Sequence, residues 1–228
     1  MNDSAALLHD WYIEAAQYAR HEARRGRRHA FERLQPARTA LVVVDMVPFF
    51  LEENPYARGI VPNVQRLADA LRAAGGTVAW VLPGTSASSP VAVEFYGAEV
   101  AERYRTSAGD GPLRSRLWHE FDVRPDDLLV EKFSAGAFFP GRCELPSLLA
   151  QRGIDTVLVT GTVANVCCES TARDASTQGY RVIMVADANA ALRNADLNAT
   201  LHTIYRSFGD VRPTSEVLSL IAVGDGGA

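Results

Sequence analysis

From residue 39 onward, short β-branched runs alternate with amphipathic alanine- and leucine-rich segments, and this alternation restricts the fold more than any other feature of the chain. Thr39-Ala40-Leu41-Val42-Val43-Val44, ending at Asp45, and Thr156-Val157-Leu158-Val159-Thr160 are continuous apolar runs of the kind that form strands buried on both faces. The order predicted after the strand at 39–45 is a helix over about 61–74, then a strand over 77–82 behind Gly75-Gly76. The pattern resumes with strand 128–131, helix 143–152, strand 156–160, helix 166–178, strand 181–185, helix 190–207, and a closing strand and helix after Gly209. Such alternation predicts an α/β fold: a mainly parallel sheet, helices on both faces, and right-handed crossovers. The stretch Pro83 to Asp126 interrupts it, with one helix expected around Val91 to Tyr104; connections this long often serve as lids or pocket walls.

A chain of 228 residues suits one substantial α/β domain, and no Pro/Gly/Ser-rich linker divides it. No apolar run approaches the roughly 20 residues needed to cross a bilayer, and the N-terminus is polar and then basic, so no membrane association is expected and a cytoplasmic location is. The formal charge of −4 argues against nucleic acid as partner. The dense basic cluster of Arg20, His21, Arg24, Arg25, Arg27, Arg28 and His29 is read as the solvated end of an N-terminal amphipathic helix. Leu7, Leu8, Trp11, Tyr12, Ala15 and Tyr18 would supply its apolar face. Cys143, Cys167 and Cys168 are too few for a disulfide framework and are expected to be free thiols.

Of the 23 basic residues only one is a lysine, Lys132. Lysine differs from arginine in that its pKa moves readily on burial or pairing, so a single lysine at the end of a buried strand invites a chemical reading. Asp45 ends one predicted strand, and Cys167 follows another by way of Gly161. In an open parallel sheet, ligands bind beyond the carboxyl ends of the strands, and Asp45, Lys132 and Cys167 all fall at that edge. A carboxylate, an ammonium and a thiol meeting there describe acyl transfer through a thioester with water as final acceptor. Placed near a helix start, Cys167 is expected to have a lowered thiol pKa. The backbone amides of Val163 and Cys167 would hold the developing oxyanion. Cys168, about 100° away on a helix, is assigned to packing, and Cys143 to a structural role.

These residues lie in segments that resemble a known family. TALVVVDM around Asp45, VEKFSAGAFF around Lys132 and VTGTVANVCCESTARDA around Cys167 are similar, in order and spacing, to the signature segments of the isochorismatase-like cysteine hydrolases, over roughly residues 38–222. The resemblance implies a Rossmann-like doubly wound sheet in a hydrolase domain at 36–228, preceded by an N-terminal helical extension at 1–35. It implies Asp45, Lys132 and Cys167 as the catalytic set, a cis peptide between Thr162 and Val163, and a homo-oligomer, dimer or tetramer. No aspartate and histidine cluster of the metal-binding branch is present at 48–51 or 82–87, so no metal and no cofactor are expected. True isochorismatases lack the nucleophilic cysteine, so Cys167 points to an amide or ureido C–N bond in a small molecule. Phe50, Phe138 and Phe139 are candidates to wall the pocket. A lactam hydrolase similar to streptothricin hydrolase, an ether hydrolase of the isochorismatase type and a catalytically silent binding protein are the competing readings.

Overall fold

The computed structural model describes residues 5–85 and 89–225; positions 86–88 of the long connection, and the chain ends, lie outside the described residues. Six strands form one wholly parallel sheet in the order β3-β2-β1-β4-β5-β6. They are β1 (Thr39–Val44), β2 (Thr77–Pro83), β3 (Leu128–Lys132), β4 (Thr156–Thr162), β5 (Arg181–Ala190) and β6 (Asp210–Arg212). The helices are α1 (Ala15–Arg25), α2 (Pro48–Leu51), α3 (Pro55–Gly59), α4 (Val61–Ala73), α5 (Pro90–Tyr96), α6 (Ala98–Thr106), α7 (Leu113–Arg116), α8 (Leu145–Gln151), α9 (Glu169–Thr177), α10 (Asn194–Ser207) and α11 (Thr214–Asp225). Each face of the sheet carries its own core. Val42, Val44, Val157 and Val159 pack toward Leu149, Ala172 and Leu201 on one side, while Leu41, Val43 and Leu158 pack toward Leu67, Leu71 and Val217 on the other. That two-sided burial is why β1 and β4 read as unbroken apolar runs rather than as alternating ones.

From β1 the chain winds outward through β2 to the edge strand β3, then returns to the other side of β1 and winds outward through β4, β5 and β6. The strand order therefore reverses between β1 and β4, which opens a crevice at the carboxyl ends of those two strands. Their closeness there depends on Gly161, which is paired with Val44. Its φ is +115°, and a Cβ would lie 2.1 Å from the Val44 carbonyl oxygen.

Several sequence expectations are corrected. The N-terminal helix begins only at Ala15; residues 5–14 form no helix. Their polar groups are taken up by tertiary partners: Leu7 N–H donates to the Pro55 carbonyl (3.0 Å), and Tyr12 N–H donates to Asn198 Oδ1 (2.9 Å). His9 stacks on Tyr56 at 3.8 Å between ring centroids and accepts from the Ala191 amide at Nε2 (3.1 Å). Gly59 makes the approach possible, since a Cβ there would meet the Leu7 carbonyl at 1.8 Å. The single helix expected around 91–104 is two, α5 and α6, separated by Gly97 at φ +80°. Strand β5 continues to Ala190, past the expected end at 185, and α10 begins only at Asn194. Asn189 holds the irregular end of β5 by donating to the carbonyls of Val159 (2.8 Å) and Val185 (2.7 Å).

Candidate active site

Asp45 follows directly on β1, Lys132 is the last residue of β3, and Cys167 lies in a π-helical turn, Ala164–Cys168, between β4 and α9. The three meet. Lys132 Nζ stands 2.9 Å from Asp45 Oδ2, 3.6 Å from Cys167 Sγ and 3.2 Å from the Ser134 carbonyl oxygen, to which it donates. Because β2 separates β3 from β1 in the sheet, the lysine side chain must cross the end of β2, where Pro83 is its register partner. A short side chain at 132 could not make that span, since two inter-strand steps come to roughly 10 Å.

Local backbone aims the carboxylate. Asp45 has φ +53°, the left-handed region that costs a non-glycine residue about 1–3 kcal/mol. The position is held by its amide, which donates to the Val81 carbonyl (2.8 Å), and by its carbonyl, which accepts from Val47 N–H (2.9 Å). The flanking Met46 and Val47 are buried, so the turn is packed in place. The thiol is positioned from the other direction. Thr171 Oγ1 donates to the Cys167 carbonyl (2.7 Å) and accepts from Ala137 N–H (3.1 Å), tying the π-helical turn to the loop after Lys132. The Thr162–Val163 peptide is cis.

The electrostatics overturn one expectation and sharpen another. Burial pushes the Cys167 thiol up to about 12, and the neighbouring Asp45 carboxylate adds to the rise; Lys132 and the Val163 amide pull the other way and lose. The sulfur is therefore protonated at rest, not a pre-formed thiolate. A helix start lowers a thiol pKa when the site is otherwise open, whereas this sulfur shares a closed space with an anion. Burial also raises Asp45 above the ordinary carboxylate range, opposed by the Lys132 charge. Burial alone would push Lys132 down, but Asp45 and Cys167 overcome it and hold the ammonium above its ordinary value. That cation requires an anion opposite, so Asp45 is ionised in the pair and is a stronger base than a solvated carboxylate. The carboxylate has two donors beside it, the Lys132 ammonium 2.9 Å from Oδ2 and the Cys167 thiol. A buried carboxylate that faces a protonated thiol is placed to take its proton.

The triad opens into a cavity of about 590 Å³ walled by Phe50, Tyr96, Tyr104 and Phe133, with Val163 and Val166 beside the sulfur. Of the aromatic residues expected to wall it, Phe50 does so. Phe138 does not: it is fully buried in the core against Tyr180, at 5.1 Å between ring centroids. Phe139 is half-exposed and lines no part of the cavity either. In Phe133 to Phe139 the chain turns over on itself, so proximity in sequence to Lys132 does not carry over to the pocket. Phe133, next to the lysine, could have been chosen on that adjacency. Tyr96 and Tyr104 come from the long connection and carried no motif. Cys168 faces the Thr160 carbonyl in the core, and Cys143 is half-buried against the same core. Among the described residues no group of three or more His, Cys, Asp or Glu is gathered for a metal ion, and no helix is long and apolar enough to cross a membrane.

Fold and site define an α/β enzyme whose reactive groups project from the carboxyl edge of a parallel sheet at its topological switch point. The chain belongs to the isochorismatase family: residues 39–216 match the Isochorismatase domain, and the protein is a hydrolase of that family. It is 31% identical, over 81% of its length and 94% of the relative's, to the "uncharacterized isochorismatase family protein YwoC" of Bacillus subtilis. The ureidoacrylate amidohydrolase RutB of Agrobacterium fabrum is 29% identical over 83% of this chain and 92% of its own. Among solved structures, a cysteine hydrolase from Pseudomonas syringae pv. phaseolicola superposes with a TM-score of 0.74 at 30% identity, covering 86% of this chain and 97% of that one.

Proposed function

We propose that this protein is a metal-independent cysteine amidohydrolase that cleaves an amide or ureido C–N bond of a small molecule through a Cys167 thioester. The observation that carries the reading is the contact of one buried carboxylate, one buried ammonium and one thiol at the floor of a cavity large enough for a small substrate. The similarity to an amidohydrolase and to a cysteine hydrolase supports it.

The chemistry follows from the charge states. Asp45 takes the proton from Cys167 as sulfur attacks the substrate carbonyl carbon, so the thiolate exists only when it is used. Negative charge moves to the carbonyl oxygen, where the backbone amides of Val163 and Cys167 receive it. Asp45 then gives its proton to the departing nitrogen, the C–N bond breaks, and an acyl or carbamoyl thioester remains. In the second half Asp45 accepts a proton from water, hydroxide adds to the thioester carbon, and the sulfur leaves and is reprotonated. Lys132 keeps Asp45 an anion between these transfers and stabilises the sulfur as charge develops on it.

The test is mass spectrometry of the acyl- or carbamoyl-labelled enzyme after incubation with a panel of small amides, ureido acids and lactams, beside turnover of the same panel. Selective labelling lost in Cys167→Ser but kept in Cys168→Ser, with turnover lost only in the former, is the expected result. Turnover that survives Cys167→Ser would overturn the thioester and favour an ether- or ester-cleaving hydrolase.

A further inference from the structure

A second cavity of about 370 Å³ adjoins the catalytic one and shares Phe50, Tyr104 and Val163 with it. The two aromatic rings thus stand between two lobes, and the Val163 backbone, assigned above to the oxyanion, borders both. Like the catalytic lobe with its buried Asp45 and Lys132, this one is lined by two opposite charges, here the solvent-exposed Glu53 and Arg103. Arg103 sits on α6 with Val100 and Tyr104, at the i, i+3, i+4 spacing that puts all three on one face toward the lobe.

Glu53 and Arg103 are both exposed to solvent, and neither has a hydrogen-bond or ion-pair partner for its side chain among the described residues. Two nearby arginines are engaged. Arg105, two residues on, is paired with Glu102, and Arg116 is held by Glu131 and the Pro83 carbonyl. Asn54, beside Glu53, is also committed, accepting from Tyr56 N–H and donating to the Ala191 carbonyl. The lobe therefore offers one solvent-exposed anion and one solvent-exposed cation on walls that mix Phe49, Phe50, Val100 and Leu192 with Asn54, Thr162 and Tyr104. A head group with a carboxylate alone would face Glu53 as a like charge, and one with an ammonium alone would face Arg103 so. A head carrying both complements both, with the guanidinium fork matched to a carboxylate.

We propose that Glu53 and Arg103 read the ammonium and carboxylate of a free α-amino acid whose side chain carries the scissile amide or ureido group. This rests on the assignment of Cys167 as the nucleophile and names the substrate class of that same site: the dipolar head occupies the second lobe while the side chain passes Phe50 and Tyr104 to reach the sulfur.

The experiment uses the full chain with Cys167→Ala, so that ligands bind without being consumed, and calorimetry at low ionic strength. The probes are citrulline, 5-ureidopentanoate (which lacks the ammonium) and N-butylurea (which lacks both charges). Citrulline is expected to bind at least 10-fold more tightly than either of the others. Adding Glu53→Gln should bring citrulline down to the affinity of 5-ureidopentanoate and leave N-butylurea unchanged; adding Arg103→Gln should weaken both acids. Equal binding of citrulline and N-butylurea would overturn the proposal. So would a Glu53→Gln effect equal on all three probes, the mark of two side chains that serve only each other. Turnover of any probe by the Cys167→Ala protein would instead overturn the choice of nucleophile, and the order of affinities would still stand as measured.

Discussion

Replacing Lys132 with methionine keeps the length of the side chain and removes its charge, so it isolates what the ammonium does. The lysine is 5% exposed and Asp45 is 1% exposed, with 2.9 Å between the charged atoms. At an effective dielectric of about 20, two unit charges at that separation attract by about 6 kcal/mol. Desolvation offsets part of that attraction, and removing one partner of a buried pair costs about 3–5 kcal/mol, because the other is left uncompensated. For a domain of this length that corresponds to a fall in Tm of about 6–20 °C. The variant should also regain stability in acid. With Lys132 gone, the folded-state pKa of Asp45 rises further above its unfolded value. Its contribution is then fully present below the unfolded pKa of about 3.9 and is lost as pH rises through the folded pKa. Asp45 would then hold its proton over a wider span of pH, so hydrolysis should fall together with stability. The double variant Lys132→Met with Asp45→Asn should recover most of the lost Tm and none of the turnover. Thermal unfolding followed by circular dichroism from pH 4 to 9, beside product release, measures all of this. A single variant as stable as the parent at pH 7, or a double variant no more stable than the single, would refute the buried ion pair as the organising contact of the site.

Because the base is a raised carboxylate and the thiol is pushed up to about 12, kcat/KM should climb along one acid limb whose midpoint lies above the ordinary carboxylate value of about 3.9, then stay flat well into alkaline pH. A limb near the free-thiol value of about 8.5 would contradict the protonated resting sulfur. Gly161→Ala places a Cβ 2.1 Å from the Val44 carbonyl at φ +115°, and a loss of about 3 kcal/mol or more is expected in urea unfolding; a loss under about 1 kcal/mol would mean that β1 and β4 can part locally at no cost. Phe138→Ala should cost about 3–5 kcal/mol as a core truncation, whereas Phe139→Ala should stay within about 0.5 kcal/mol, and neither should alter KM, since neither side chain borders the cavity.

The parallel sheet was legible because β1 and β4 are buried on both faces, a condition that leaves a continuous apolar run in the sequence. Asp45, Lys132 and Cys167 were legible for a related reason: each ends or follows such a run, and parallel strands bring their carboxyl ends to one edge. What escaped depends on tertiary contact. Residues 5–14 have helical spacing in their apolar positions, but the Pro55 carbonyl and Asn198 give their amides other partners. The Ala186 to Ala190 segment looks like the start of a helix until Asn189 bridges two carbonyls and holds it in the sheet. The direction of the Cys167 shift was misread because the helix start is visible in sequence, whereas the burial and the anion beside the sulfur are not. Nothing local marks Tyr96 and Tyr104 as pocket walls, since α5 and α6 reach the site across the whole length of the second connection.

Lys132 extends from the outermost strand on its side of the sheet over β2 to a carboxylate on β1, and that reach makes activity a reporter of assembly. Until β3 has docked, Asp45 has no counter-ion and Cys167 Sγ has no cationic neighbour. A chain with only β1, β4 and β5 aligned would contain Cys167, the proposed nucleophile, and is expected to be inert. Recovery of turnover during refolding should therefore track the attachment of β3, and a spectroscopic signal from the central strands alone would run ahead of it.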